Sequence, residues 1–230
     1  SLTCPNPNSM AIIKKHDFVE IKYTGRVKED NTIFDTTEEK VAKENDVHDK
    51  HADYSPVVIC IGENNILKAF DDMMIGKETG KEYTFEVNSD NAFGKKDAKL
   101  IQLIPANKFR QQNIQPMPGL QLNIDGIFGV VKTVSGGRCL VDFNHPLAGK
   151  DLIYNVKINR IVENDNEKLK SLLKAYLGIK DAEVEVKESS AAIKSHHDIP
   201  KEAQNEFKKI AERTIPTIKN IDFTITKEIK

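Results

Sequence analysis

Apolar residues in this chain come in short bursts. The longest unbroken runs are five residues, Val57 to Ile61 and Ile127 to Val131. A helix that crosses a bilayer needs about 20 such residues, so no membrane span is expected. Elsewhere apolar and polar residues alternate in brief segments closed by Gly, Asn, Asp or Pro, the signature of half-buried strands joined by tight turns. With 230 residues, 39% of them hydrophobic and 30% charged, the chain can fill one large or two small cores and is not a disordered tail.

The first alternating segment, Asp17 to Tyr23, puts Val19, Ile21 and Tyr23 on one face. Thr24-Gly25 breaks it, and Thr32 to Asp35 reads as the next short strand. Thr36 and Glu39 have capping-box spacing and predict a polar helix to about Asn45. After a polar loop, Pro56 leads into a continuous apolar strand, Val57 to Ile61. Asn64 or Asn65 is expected to cap a helix through Met74, with Ile66, Phe70, Met73 and Met74 on its inner stripe. Tyr83 to Val87 alternates again. Strands around one short helix imply an α+β domain in which the helix covers a curved sheet.

From Ala98 to Val141 the texture changes to short strands (Leu100 to Ile104, Leu120 to Ile124, Ile127 to Thr133, Arg138 to Val141) around a turn of helix at Ala106 to Gln112. Asp125-Gly126, Ser135-Gly136-Gly137 and Pro118-Gly119 supply the turns. Leu152 to Ile161 then reads as a strand that needs neighbours in the first sheet, which makes the β segment an insertion. Beyond Asn164 an amphipathic helix (Leu169, Leu172, Leu173, Tyr176), a hairpin, a helix opened by Pro200 and a strand at Ile221 to Ile225 form an αββαβ unit. It is too small to bury much alone, so it must dock or pair. The expected division is 1–9 as a leader or a remnant, 10–97 with 142–163 as one discontinuous domain, 98–141 as the insertion and 164–230 as the last unit.

Several chemistries are excluded by what is missing. Lys+Arg number 34 against 35 Asp+Glu, a net charge of −1, so there is no basic footprint for nucleic acid. No Gly-rich phosphate loop, Gly-x-Ser-x-Gly elbow or His-Glu-x-x-His occurs. Cys4, Cys60 and Cys139 are too scattered for a disulfide framework, and with no secretory signal the chain reads as cytoplasmic. A Cys60/His145 nucleophile pair is unattractive because a thiol in an apolar strand is inert. His48 and His51, and His196 with His197, read as solvated loop residues; no metal and no cofactor is expected.

What the chain does have is a series of motifs in order: Val19 to Gly25 around Tyr23, Ile33-Phe34-Asp35-Thr36, Gly62 to Phe70 through Ile66 and Leu67, and Asn91 to Gly94 around Phe93. Together these resemble the FKBP-type peptidyl-prolyl isomerases. The segment Asp142 to Lys150, with His145 and Leu147 feeding into Tyr154, resembles the SlyD-like branch with an insert in the flap, and the added C-terminal unit resembles its long archaeal type. The resemblance covers Phe18 to about Ile161. It implies an antiparallel half-barrel sheet wrapped on a short helix, with an inserted β subdomain and a C-terminal α/β unit. It also implies that Tyr23, Phe34, Asp35, Leu67, Phe70, Phe93 and Tyr154 form the catalytic pocket, Leu67 through its backbone N–H. Val57, Ile59, Ile66, His145 and Leu147 are implied as substrate contacts. Phe70 stands where many relatives carry Trp and Phe93 where they often carry Tyr.

The same resemblance implies that the insertion captures unfolded polypeptides, with Leu103, Ile104, Phe109, Ile114, Met117 and Leu120 as its candidate surface. The expected function is rotation about X-Pro bonds in unfolded or nascent proline-containing chains. The alternative is a peptide-binding module without catalysis. Weak binding of tacrolimus-type macrolides is implied as well. The His/Cys-rich metal-binding tail of some SlyD-like proteins is not seen in the residues up to Lys230. For residues 165–230 a homodimer is expected, through Ile221 to Ile225 or the Leu169/Leu172/Tyr176 stripe, with docking on the isomerase domain as the other solution.

Overall fold

A computed structural model describes residues 10–124 and 126–226; the expected leader, 1–9, lies outside them. Strand β1 (Phe18–Val27) is the spine of the first sheet. Its second half pairs antiparallel with β2 (Ile33–Thr36) and its first half with β3 (Val57–Cys60), which follows helix α1 (Glu39–Glu44). After helix α2 (Lys68–Met74) comes β4 (Glu82–Val87). The sheet order is completed when the chain returns much later as β9 (Leu152–Ile161), which lies between β1 and β4. The sheet thus takes strands from both sides of the insertion, as the alternation of Leu152 to Ile161 requires.

Three local expectations are corrected. Gly25 does not end β1; the strand runs on to Val27 with a bulge between Gly25 and Arg26. Thr36 does not form a capping box. Its hydroxyl lies 2.8 Å from that of Thr24 and accepts from the Glu38 N–H, and α1 has no side-chain cap. Neither Asn64 nor Asn65 caps α2, which begins only after Leu67. Asn65 Oδ1 instead accepts from the Cys60 N–H at 2.8 Å, and Asn64 adopts a left-handed φ of 55°. In each case a tertiary partner outbid the local one.

The chain forms two compact units. One holds the described residues up to Arg26, Thr32–Glu86 and the described residues from Ile153 onward; the other holds the described residues of Val27–Asn31 and Val87–Leu152. The second unit contains β5 (Ile101–Pro105), α3 (Ala106–Gln111), β6 (Gln121–Ile124), β7 (Ile127–Ser135) and β8 (Arg138–Asp142), in sheet order β5-β8-β7-β6. Ile124 pairs with Ile127 across the β6–β7 hairpin, and Gly126 has a φ of 82°. Its core is small: Ala106, Phe109, Leu122, Val131, Cys139 and Val141.

The C-terminal segment comprises α4 (Asp165–Leu177), β10 (Glu183–Lys187), β11 (Ser190–Ser195), α5 (Lys201–Thr214) and β12 (Asn220–Ile225). Asn164 caps α4 by accepting from the N–H groups of Asn166 and Glu167, and Gly178 closes it in the left-handed region. Strand β12 runs parallel to β11 at the edge of a three-stranded sheet. Leu169, Leu172 and Leu173 are fully buried, in one apolar core with Phe18 and Cys60 of the first sheet and Val162 just past β9. Of the Leu169/Leu172/Tyr176 stripe, Leu169 and Leu172 are therefore covered within the chain, whereas Tyr176 is exposed.

Candidate functional site

The site is built on the middle of β1. Tyr23 is fixed by its backbone, which donates its N–H to Thr37 Oγ1 and accepts the Thr37 N–H, each at 2.9 Å. Its ring meets two others, Phe70 at 6.3 Å and Tyr154 at 6.0 Å between centroids. Tyr154 also takes Phe34 edge-on at 5.8 Å and Phe70 at 5.4 Å. Edge-to-face packing of this kind fixes rings more firmly than aliphatic contact does. Strands β1, β2 and β9 and helix α2 each contribute, so residues more than a hundred positions apart converge. Phe70 and Tyr154 are almost fully buried, and Phe34 and Tyr23 are half-buried.

Asp35 supplies the polar edge. The Tyr23 hydroxyl donates to Asp35 Oδ2 at 2.6 Å, which is the reason for a carboxylate beside a packed aromatic. Burial, and after it the negative charge of Asp35, push the Tyr23 phenol well above its ordinary value; burial and Asp35 do the same to Tyr154. Both phenols therefore stay protonated at neutral pH. Asp35 is exposed, and Tyr23 holds its carboxylate in place.

Two members of this cluster escaped the sequence reading. Phe85 of β4 packs edge-to-face on Phe70 at 5.6 Å; its signal was the inward register it shares with the buried Val87. Gly25 is the second. A Cβ there would lie 2.6 Å from Phe34 Cζ and 3.0 Å from Tyr154 Cε1. A glycine inside a strand commonly marks such a close approach, and here it admits the two rings.

Val57 and Ile59 stand opposite Ile21 and Val19 across the β3–β1 ladder. Val58 and Cys60, on the other face of β3, pack into the C-terminal core, so alternation turns Val57 and Ile59 away from it. Ile66 and Leu67 are half-buried in the loop that leads into α2, with Leu67 at the cap position. In the second unit Phe93 stacks flat on His145, 4.4 Å between centroids and 3° between planes. His145 Nδ1 accepts the Leu147 N–H at 3.1 Å, which turns the Leu147 backbone back on the ring.

The candidate capture residues divide. Leu103 is 60% and Met117 55% exposed, whereas Phe109 is 5% exposed and belongs to the insert core. Ile104, Ile114 and Leu120 pack half-buried against that core. Phe109 is thus a structural residue: α3 turns its ring inward onto the sheet. The exposed apolar surface instead includes Ile124, Ile127, Phe128 and Val134, which the sequence reading left out.

Nothing in the site is a nucleophile. Burial, followed by the charges of Glu63 and Asp71, pushes the Cys60 thiol up to about 12. Among the described residues no group of three His, Cys, Asp or Glu side chains is placed to hold a metal, and no helix is long and apolar enough to cross a membrane.

Known proteins resemble this arrangement in sequence. The family model described as "FKBP26, IF domain" matches residues 102–147. A short-type peptidyl-prolyl cis-trans isomerase of Methanocaldococcus jannaschii is 32% identical over 156 residues, covering 68% of this chain and 98% of the relative. A probable FKBP-type 16 kDa peptidyl-prolyl cis-trans isomerase of Pseudomonas fluorescens is 33% identical over 118 residues, 49% of this chain and 77% of the relative. The SlyD isomerase of Vibrio cholerae is 26% identical over 135 residues, 56% of this chain and 66% of the relative. With nearly the whole archaeal relative spanned at that identity and the insert matched by its own family model, the chain belongs to the FKBP-type peptidyl-prolyl cis-trans isomerases, in the SlyD-like branch that carries an insert in the flap.

Proposed function

We propose that the cluster of Tyr23, Phe34, Asp35, Phe70 and Tyr154 is where this isomerase turns X-Pro bonds, with Leu67 presenting its N–H to the substrate carbonyl. Rotation about a peptide bond must cross ~18–20 kcal/mol because the twist destroys amide resonance. No bond is broken and no proton must move. An apolar pocket disfavours the charge-separated planar amide and accepts the less polar twisted form, which is preferential binding of the transition state. Bringing an uncatalysed time of tens of seconds to milliseconds takes roughly 5–6 kcal/mol of such preference. Asp35, steadied by Tyr23, orients the peptide.

Val57, Ile59 and Ile66 are assigned to the substrate side chains, and Phe93, His145 and Leu147 are assigned to the peptide by the same family reading. Exposed Leu103 and Met117 are proposed to catch unfolded segments, so that the prolyl bond is processed while tethered. Tacrolimus-type macrolides should bind weakly, since Phe93 offers no hydroxyl. A homodimer is proposed through the outer edge of β12. A cytoplasmic location fits the free buried thiols of Cys60 and Cys139.

The observation that carries this reading is the Tyr23–Asp35 hydrogen bond on a ring cluster drawn from four elements. The paired substitution Asp35→Ala with Tyr23→Phe should leave the fold intact and lower kcat/KM on a short prolyl peptide by about 10–100-fold, the weight of a hydrogen bond to a charged group. Wild-type turnover by the folded double variant would favour the peptide-binding alternative or another site.

A further inference from the structure

Glu63 lies in the loop between β3 and α2, three residues before Ile66, and its side chain is only 8% exposed. Its partners come from the C-terminal segment. Arg213, in the last turn of α5, donates from Nε to Oε1 at 3.0 Å and from Nη2 to Oε2 at 2.6 Å. Tyr176, near the end of α4, donates its hydroxyl to Oε2 at 2.9 Å. His16 Nε2 stands 3.9 Å from Oε1. Burial works to raise the Glu63 pKa, but the hydrogen bonds from Arg213 and Tyr176 outweigh it and hold the carboxyl below its usual range. A bidentate guanidinium–carboxylate pair fixes orientation as well as distance.

The same loop is held from inside. Asp71 Oδ2, on α2 next to Phe70, accepts the N–H groups of Gly62 at 2.9 Å and Asn64 at 2.8 Å. Gly62 and Asn64 both have positive φ, a backbone region that these two residue types adopt at little cost, and the two hydrogen bonds to Asp71 fix the turn they make. The peptide from Gly62 to Leu67 is thus clamped between an inner carboxylate on the pocket helix and an outer clasp from the C-terminal helices.

We propose that Arg213 and Tyr176 are positioning residues of the isomerase: through Glu63 they set the loop that presents Ile66 and Leu67 to the substrate. The proposal rests on the pocket reading above and gives the C-terminal segment a part in catalysis. A merely structural clasp would change melting without changing turnover by the folded protein. A positioning clasp would change turnover too, because small misplacements of a pre-set group are costly.

The test uses the full chain. Arg213→Met, Arg213→Lys, Tyr176→Phe and the double variant Arg213→Met with Glu63→Gln are assayed on a short prolyl peptide, well below each melting temperature. Amide resonances of Asn64, Asn65 and Leu67 are recorded alongside. Arg213→Met is expected to lower kcat/KM about tenfold and to move those amides, with Arg213→Lys in between. Adding Glu63→Gln should restore stability by removing the unpaired buried charge, but not turnover. If Arg213→Met does not fold, Arg213→Lys and Tyr176→Phe decide by the same criteria. Folded variants with kcat/KM within twofold of wild type and unmoved amides would overturn the proposal, as would a double variant that regains turnover. Failure of the pocket reading has a different signature: the peptide would then leave the wild-type Leu67 and Tyr23 resonances unmoved.

Discussion

The ring cluster proposed as the isomerase site and the inserted β subdomain draw on the same apolar residue types and bury them in opposite ways. Phe34 and Phe70 lock Tyr154 edge to face and Tyr23 meets it tilted, while Asp35 at their edge is held by the Tyr23 phenol. Among the described residues of the insert the apolar core is Ala106, Phe109, Leu122, Val131, Cys139 and Val141, while Leu103, Met117, Ile127 and Phe128 face solvent. A barrier crossing needs groups fixed beforehand, because order supplied during the reaction is subtracted from the rate. Capture of unrelated unfolded segments needs exposed, adaptable apolar surface, for which an unbranched Met is well suited. The cost is a thin core, so the insert must be the more fragile of the two regions.

The sharpest way to break that contrast is to exchange core and surface inside the insert. Phe109→Ala should cost about 3–5 kcal/mol and unfold the subdomain. Leu103→Ser with Met117→Ser should leave its melting nearly unchanged while lowering its affinity for an unfolded polypeptide. Amide exchange at Val131 and Val141, together with binding to a permanently unfolded chain, reads both. Equal loss of stability in the two variants would mean that Leu103 and Met117 belong to the core after all.

Replacing residues 98–141 with a short linker comes next. Catalysis on a short peptide should stay within about twofold, and catalysis of proline-limited refolding of a whole protein should fall by about 100-fold, since tethering acts through effective concentration. Refolding kinetics and the peptide assay, run on the same preparation, separate the two. Parallel losses on both substrates would make the insert a support of the pocket rather than a capture surface.

How far the sequence displayed these regions follows from the range of the forces involved. The strands of the insert and all of β9 were legible because turn residues and alternation are local. The ring cluster came from the resemblance; Phe34 and Tyr154 share no local pattern and meet only because β1 lies between β2 and β9. Gly25 reads as a breaker by its own propensity, yet its missing Cβ makes room for Phe34. Asn65 has the composition of a helix cap but serves Cys60. Phe109 could not be placed because a helix of six residues does not specify a buried face by its period. Glu63 went unremarked because its hydrogen-bond partners Tyr176 and Arg213 lie more than a hundred residues away.

The smallest expected effect concerns the root of the insert, where Lys96 and Asp97 on the outgoing chain meet Asp142 and Asn144 on the return. Lys96 Nζ donates to Asp142 Oδ2 at 2.7 Å, and the Asn144 backbone N–H and side-chain amide both donate to Oδ1 at 2.9 Å. Asn144 in turn accepts the Asp97 N–H and donates to the Asp97 carbonyl. Burial alone would raise the Asp142 pKa, but Lys96 and Asn144 outweigh it and bring the carboxyl down to about 2 from its ordinary 3.8. A carboxylate depressed in the folded state adds stability that is complete above its unfolded pKa and is lost as pH falls through the folded one. The insert should therefore weaken between about pH 4 and pH 2, by about 2 kcal/mol in all. Asp142→Asn should lack that acid step and carry the deficit already at neutral pH. An acid titration that follows resonances of Val131 and Cys139 beside those of Phe70 and Tyr154 measures the two regions at once. Loss of the first pair ahead of the second is the expected order, because the clasp closes the root of the thin-cored insert; simultaneous loss would show that insert and ring cluster melt as one cooperative unit.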